Sequence, residues 1–269
     1  MTRDQQAAMD RPPPTHRVAA AHQPGATGPL DGPVLASVLE LARSAAPTLT
    51  ATDLADQAGY SPFHFSRLFT ARLGIGPGQY LTALRIDAAK RLLLGDSDPV
   101  VDVATAVGFD SLSSFSRRFR ETVGVPPGQL RRLADRVADR EPAPFALPGA
   151  DARAVRVHLD LPAAVEERGD ALVWVGWYPQ PAPIGLPAAG ILVRGERRLS
   201  VPLCPAAPWL LGFAVPSRAD VLYHLAPERP VVAAHPLPLH APGDLTLHFS
   251  DRGGLGVPLL SALPSLCRA

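Results

Sequence analysis

The 269-residue chain has room for about two domains of ordinary size, each with its own core. Its 46% hydrophobic and 19% charged content fits a soluble globular protein, and no apolar run approaches the ~20 residues of a membrane span. A formal net charge of +1 does not announce a nucleic-acid binder, so any such role must rest on where the basic residues sit, all of them arginine except Lys90. Cys204 and Cys267 make neither a ligand cluster nor a disulfide framework and read as free thiols of a cytoplasmic chain.

Residues 1–32 are rich in Pro, Gly, Ala and Gln, lack the apolar block of a secretory signal, and are expected to form a disordered arm. Beyond them the chain repeats itself. "FSRLFTARLGIGPGQ" (Phe65 to Gln79) returns as "FSRRFRETVGVPPGQ" (Phe115 to Gln129) at a constant offset of 50, and "DLADQAGY" is answered by "DVATAVGF" with one residue fewer between.

Each copy reads as two helices around a glycine turn. In the first, Thr50 caps a short helix with Leu54, Ala55 and Ala58 on one side, and Gly59 ends it. Ser61-Pro62 opens a second helix that buries Phe65, Leu68 and Phe69. Its opposite face carries Phe63, Ser66, Arg67 and Thr70 at i, i+3, i+4, i+7. In the second copy, Asp98-Pro99 opens a helix closed by Gly108. Asp110 or Ser111 then caps one burying Phe115, Phe119 and Val123, with Ser113, Ser116, Arg117 and Arg120 outward. Neither outer face contains an acid, whereas an ordinary solvated face mixes both signs. Between the copies, a helix from about Gln79 to Leu94 acts as a spacer.

These residues, "DLADQAGYSPFHFSRLFTARLGIGPGQYLTALRIDAAKRLLL" and "PVVDVATAVGFDSLSSFSRRFRETVGVPPGQLRR", resemble the double helix-turn-helix DNA-binding domain of the AraC/XylS transcription regulators. The resemblance covers about 100 residues within 33–135. It implies seven helices, with the second helix of each unit in the major groove of double-stranded DNA. It places Arg67 and Arg117 at base-reading positions suited to guanine, with Phe63 against a thymine methyl and Ser66, Ser113 and Ser116 as further base contacts. Arg85, Arg118, Arg120, Arg131 and Arg132 are expected at phosphates. Pro62 and Leu112 depart from the polar residues usual near these helix starts, leaving the preference there open. Family habit further implies an activator that meets RNA polymerase, with a small-molecule effector and a homodimer as possible additions.

Residues 136–150 read as a linker. From 151 to 269 helical periodicity fades and short apolar runs appear: "AVRVHLDL", "ALVWVGWY", "GILVRG", "RLSVPL", "WLLGFAV", "DVLYHL", "PVVAAH" and "DLTLHFS". They predict an antiparallel β-sandwich with a faint resemblance to prealbumin-like domains, so the fold class is α+β: an all-α double helix-turn-helix domain followed by an accessory β domain. Trp174, Trp177 and Tyr178 suit either a ligand pocket or the core, and alternation favours the core for Trp174. His158, His224, His235, His240 and His248 lie on different expected strands without metal-ligand spacing, so no metal and no cofactor is expected.

Family members usually place the DNA-binding domain last; here it comes first, so their sugar-binding arm is not assumed. An enzyme is the second class, disfavoured by the lack of G-x-x-x-x-G-K-[ST], H-E-x-x-H and G-x-S-x-G, and Ser111 reads as a cap rather than a nucleophile. A partner-binding module with a degenerate helix-turn-helix is the third, and the presence of both Arg67 and Arg117 weighs against it.

Overall fold

The computed structural model describes residues 30–251 apart from 96, 140, 141, 150 and 168. The arm expected over 1–32 lies almost wholly outside the described residues, as does Cys267. Among the described residues seven helices come first: α1 (Gly32–Ala45), α2 (Ala51–Ala58), α3 (Pro62–Leu73), α4 (Pro77–Gly95), α5 (Val100–Ala106), α6 (Leu112–Val123) and α7 (Pro127–Asp139). A β-rich half follows, with β1 (Phe145–Leu147), β2 (Ala154–Asp160), α8 (Ala163–Glu166), β3 (Leu172–Tyr178), β4 (Ala189–Arg194), β5 (Arg198–Pro202), β6 (Trp209–Val215), α9 (Val221–Leu225), β7 (Val231–Ala234) and β8 (Gly243–His248).

The repeat in the sequence is a repeat in space. Thr50 caps α2 through a reciprocal box: its hydroxyl accepts the Asp53 N–H, and its own N–H donates to the Asp53 carboxylate at 2.7 Å. Ser111 caps α6 by accepting the Ser114 N–H, whereas its counterpart Ser61 makes no side-chain cap to α3, so the N-terminal caps differ between the units. The glycine turns close alike, Tyr60 N–H donating to Ala55 O and Phe109 N–H to Ala104 O, each at 3.0 Å. Tilted phenylalanine pairs fill both units, with ring centroids 5.3 Å apart for Phe65–Phe69 and 5.5 Å for Phe115–Phe119. Gly74 and Gly124 end α3 and α6 in left-handed geometry, with φ of 74° and 93°.

Two sheets make up the β-rich half. The larger is antiparallel throughout, in the order β1-β4-β3-β6-β7; the smaller runs β5-β2-β8. An entirely antiparallel arrangement is corrected at one pairing, because β8 lies parallel to β2, Val155 opposite Gly243. Between β2 and β8 the chain passes through the other sheet and re-enters from the same end. A second correction concerns "DVLYHL", which is helical: Asp220 accepts the Tyr223 N–H at 2.7 Å and opens α9. Leu225, four residues after Val221, then reaches the core on the same face. The segment expected as a linker is shorter than 136–150, since α7 runs to Asp139 and β1 occupies part of the remainder.

Every residue of β3 is buried, and period-two alternation divides them between two cores. Val173, Val175 and Trp177 join Val155, Val157 and Leu159 of the smaller sheet. Leu172 and Trp174 face the other way, into the cluster that also holds Phe65, Phe69, Phe115 and Phe119. Leu192 of β4, Phe213 and Val215 of β6 and Val232 of β7 do the same. The helical half therefore packs on the outer face of the larger sheet. Trp174 is core, as expected: its indole lies across the register pair Gly176–Gly190, where a Cβ on either glycine would come within 2.5 Å of the ring. Phe145 stacks on it at 5.8 Å.

Candidate nucleic-acid interface

Two exposed helix faces carry the residues singled out in the sequence. On α3, Phe63 is 76% exposed, Arg67 and Thr70 are exposed, and Ser66 is half-buried. A single exposed phenylalanine is ordinary on a protein surface; this one shares its face with Arg67 and Thr70. At the equivalent positions of α6, Ser113, Arg117 and Arg120 are exposed and Ser116 is half-buried. Phe65, Phe69, Phe115 and Phe119 anchor the opposite faces at 0% exposure, so the outward direction of each set follows from the helical period. Among the described residues neither face contributes an acid; Glu121 pairs from the side with Arg118 at 3.5 Å, both half in solvent.

The expected phosphate set divides. Arg118, Arg120 and Arg132 are exposed. Arg85 and Arg131 are corrected, because their guanidinium groups are spent inside the protein. Arg85 donates to the carbonyls of Ala46 and Leu49, each at 2.8 Å, and to Gly108 O. It thereby ties the α1–α2 connection to the turn of the second unit. Arg131 donates to Leu93 O at 3.0 Å and to Asp98 O, holding α7 to the end of α4. An arginine in an amphipathic helix looks the same in sequence whether it meets a phosphate or the carbonyls of a neighbouring turn.

Electrostatics outside the two faces is local. The Thr50 N–H and hydroxyl hold the Asp53 carboxyl below its ordinary range. Just before β2, Arg153 holds Asp151 down to about 2, and on the smaller sheet Arg156 pairs with Asp244. Burial pushes the Lys90 ammonium down to about 8 inside the helical core. Among the described residues no three His, Cys, Asp or Glu side chains gather as metal ligands. His158 sits on β2, His224 on α9 and His248 on β8, where its ring pairs with Asp160 at 2.7 Å.

Sequence reasoning missed the β3–β4 loop. It carries Leu186 into a groove of about 780 Å³ that it shares with Ser116, Arg117 and Arg120. A second cleft, also about 780 Å³, opens where the end of α3 meets the β-rich half, lined by Arg72, Gly74, Gln180, Trp209, His235 and His248. Neither had a signal in the sequence beyond the run of prolines around Pro181.

Paired helix-turn-helix units with acid-free outward faces define a double helix-turn-helix protein. A family model described as a helix-turn-helix domain matches residues 54–133. The chain is 39% identical over 80 residues to the HTH-type transcriptional regulator Rv1931c of Mycobacterium tuberculosis, covering 30% of this chain and 31% of that one. It is 38% identical over 104 residues to a protein named as an AraC-like transcription regulator in Streptomyces lividans, covering 38% and 34%. To the HTH-type transcriptional activator AarP of Providencia stuartii it is 36% identical over 87 residues, covering 32% and 64%. The helical half of this chain is an AraC-type helix-turn-helix domain. The chain spans about a third of the length of the first two relatives, and the match lies within the helical half.

Proposed function

We propose that the chain is a sequence-specific DNA-binding transcription regulator that reads two successive major-groove segments with α3 and α6. One observation carries this reading: the same outward, acid-free positions recur 50 residues apart on two helices with equivalent phenylalanine anchors and glycine C-caps. In this reading Arg67 and Arg117 pair with guanine edges, each worth roughly 1–3 kcal/mol of discrimination. Phe63 covers its ring with a thymine methyl, and Ser66, Ser113 and Ser116 make the remaining base contacts. Arg118, Arg120 and Arg132 hold phosphates, and binding weakens steeply with salt.

The β-rich half, its two sheets stacked as a sandwich, is the accessory module. The cleft between α3 and that half supports a small-molecule effector there, since a ligand would touch a reading helix and the β strands together. The relative named an activator favours activation, through contact with RNA polymerase.

Selection of duplexes from a random pool tests the reading, using the intact chain beside Arg67→Ala and Arg117→Ala. Each variant is expected to lose preference in a different segment, about one helical turn apart. Enrichment of nothing by the wild type, with and without candidate effectors, would reject DNA reading in favour of a protein-binding role.

A further inference from the structure

The chain between β3 and β4, "PQPAPIGLPA" over 179–188, leaves the larger sheet and touches both helix-turn-helix units at equivalent points. Those points are Gly74 and Gly124, the glycines that end α3 and α6. A Cβ on Gly74 would lie 2.1 Å from Pro181 Cγ, and one on Gly124 would lie 2.5 Å from Leu186 Cδ2. Both glycines are needed for a left-handed cap, and the same missing side chain lets the loop come against each cap.

Polar contacts fasten the same stretch. Gly185 N–H donates to Thr122 O at 2.7 Å, satisfying a carbonyl of the last turn of α6. The Gln79 amide, at the start of α4, lies 3.5 Å from Gln180 Oε1. Ala182, between the two contact points, is fully buried in the core of the helical half. Five residue steps separate Pro181 from Leu186, and the Ile184 N–H bonded to Ala182 O folds them shorter than the roughly 18 Å of an extended run. One short, folded segment therefore holds the ends of both reading helices.

We infer that the β3–β4 loop is a clasp that fixes the distance and angle between α3 and α6, making the chain selective for the spacing of its two half-sites. Pro181, Gly185 and Leu186 are its positioning residues. The inference rests on the two-helix reading of DNA proposed above. Each added base pair moves the second half-site by about 3.4 Å and turns it by about 35°. Two helices joined through α4 and the Arg85 junction alone would follow part of that change by bending at the ends of α4. Helices also held at their C-termini pass the misfit to the DNA, which must then deform.

The test uses the full chain and the duplex recovered by selection, resynthesised with −2 to +2 base pairs between its two segments. The wild type is expected to lose at least about fivefold in affinity for a one-base-pair change, the cost of distorting DNA to fit a rigid reader. A Pro181→Ala, Leu186→Ala double variant is expected to flatten this profile to within about twofold while keeping its affinity for duplexes with one segment scrambled. Leu186→Met with Pro181 left in place should keep the wild-type profile, and thermal melting checks that each variant is folded. An unchanged spacing profile in the folded double variant would overturn the clasp and leave the DNA reading intact. A uniform loss at all spacings would also overturn it, showing the loop to be packing alone. Failure of the wild type to bind any duplex would overturn both.

Discussion

Lys90 shows how far one residue departs from what its type suggests. It is the sole lysine of the chain, sits on α4 and is fully buried. Loss of hydration pushes its ammonium down to about 8; Asp87 opposes this and Arg91 adds to it. The unfolded chain binds that proton up to the ordinary value of 10.5, whereas the folded chain releases it above about 8. Unfolding between those values takes up a proton, so stability rises with pH across the window. The gain from pH 8 to pH 10 is roughly 2 kcal/mol, and urea titrations at the two pH values will measure it. Lys90→Met is expected to remove the rise. Tyr80, pushed up by its own burial, acts in the opposite sense only where tyrosines begin to ionise, near pH 10.

At the scale of elements, the two glycine turns are alike in sequence and unlike in surroundings. Gly59 and Gly108 both have positive φ, 74° and 84°. A Cβ at Gly59 meets nothing within 4 Å, whereas at Gly108 it would lie 2.1 Å from the backbone oxygen of Pro47. Gly59→Ala is therefore expected to cost about 1 kcal/mol, for the left-handed backbone alone. Gly108→Ala should cost at least about twice that, since the colliding atom is backbone and cannot rotate away. Chemical denaturation of the two variants separates the terms. Arg85 donates to the carbonyl of Gly108 and to those of Ala46 and Leu49 flanking Pro47, so this junction joins the first unit to the second. The helix-turn-helix grammar was legible because caps, glycines and the 3.6 period are local. "DVLYHL" was misread because a short apolar run fits strand and helix equally, and the deciding hydrogen bond from Tyr223 to Asp220 is known only once the turn has formed.

For the whole molecule, α3 and α6 are joined by α4, by the Arg85 junction and by contacts of the β3–β4 loop, so in the proposed reading they meet DNA as one body. Straight B-DNA presents its major groove on one face about every 34 Å. A rigid reader whose helices are set closer than that must bend its site, at a cost of order 1–6 kcal/mol repaid by the second set of contacts. Gel phasing with the selected duplex is expected to show a bend, and a straight complex would mean that the helices already match the unbent spacing. The helical half and β3, β4, β6 and β7 also share one hydrophobic core.

The sequence alone determined the repeat, the helix-turn-helix units, the outward residues of α3 and α6 and most of the strands, because these are periodic or local signals. Tertiary structure decided which arginines face outward: Arg67 and Arg117 do, while Arg85 and Arg131 turn inward to carbonyls on distant turns. It also decided that the two halves share a core and that Pro181 and Leu186 meet Gly74 and Gly124. Contacts between residues tens of positions apart leave no period in the chain; they arise only when two surfaces of matching shape are brought together by folding.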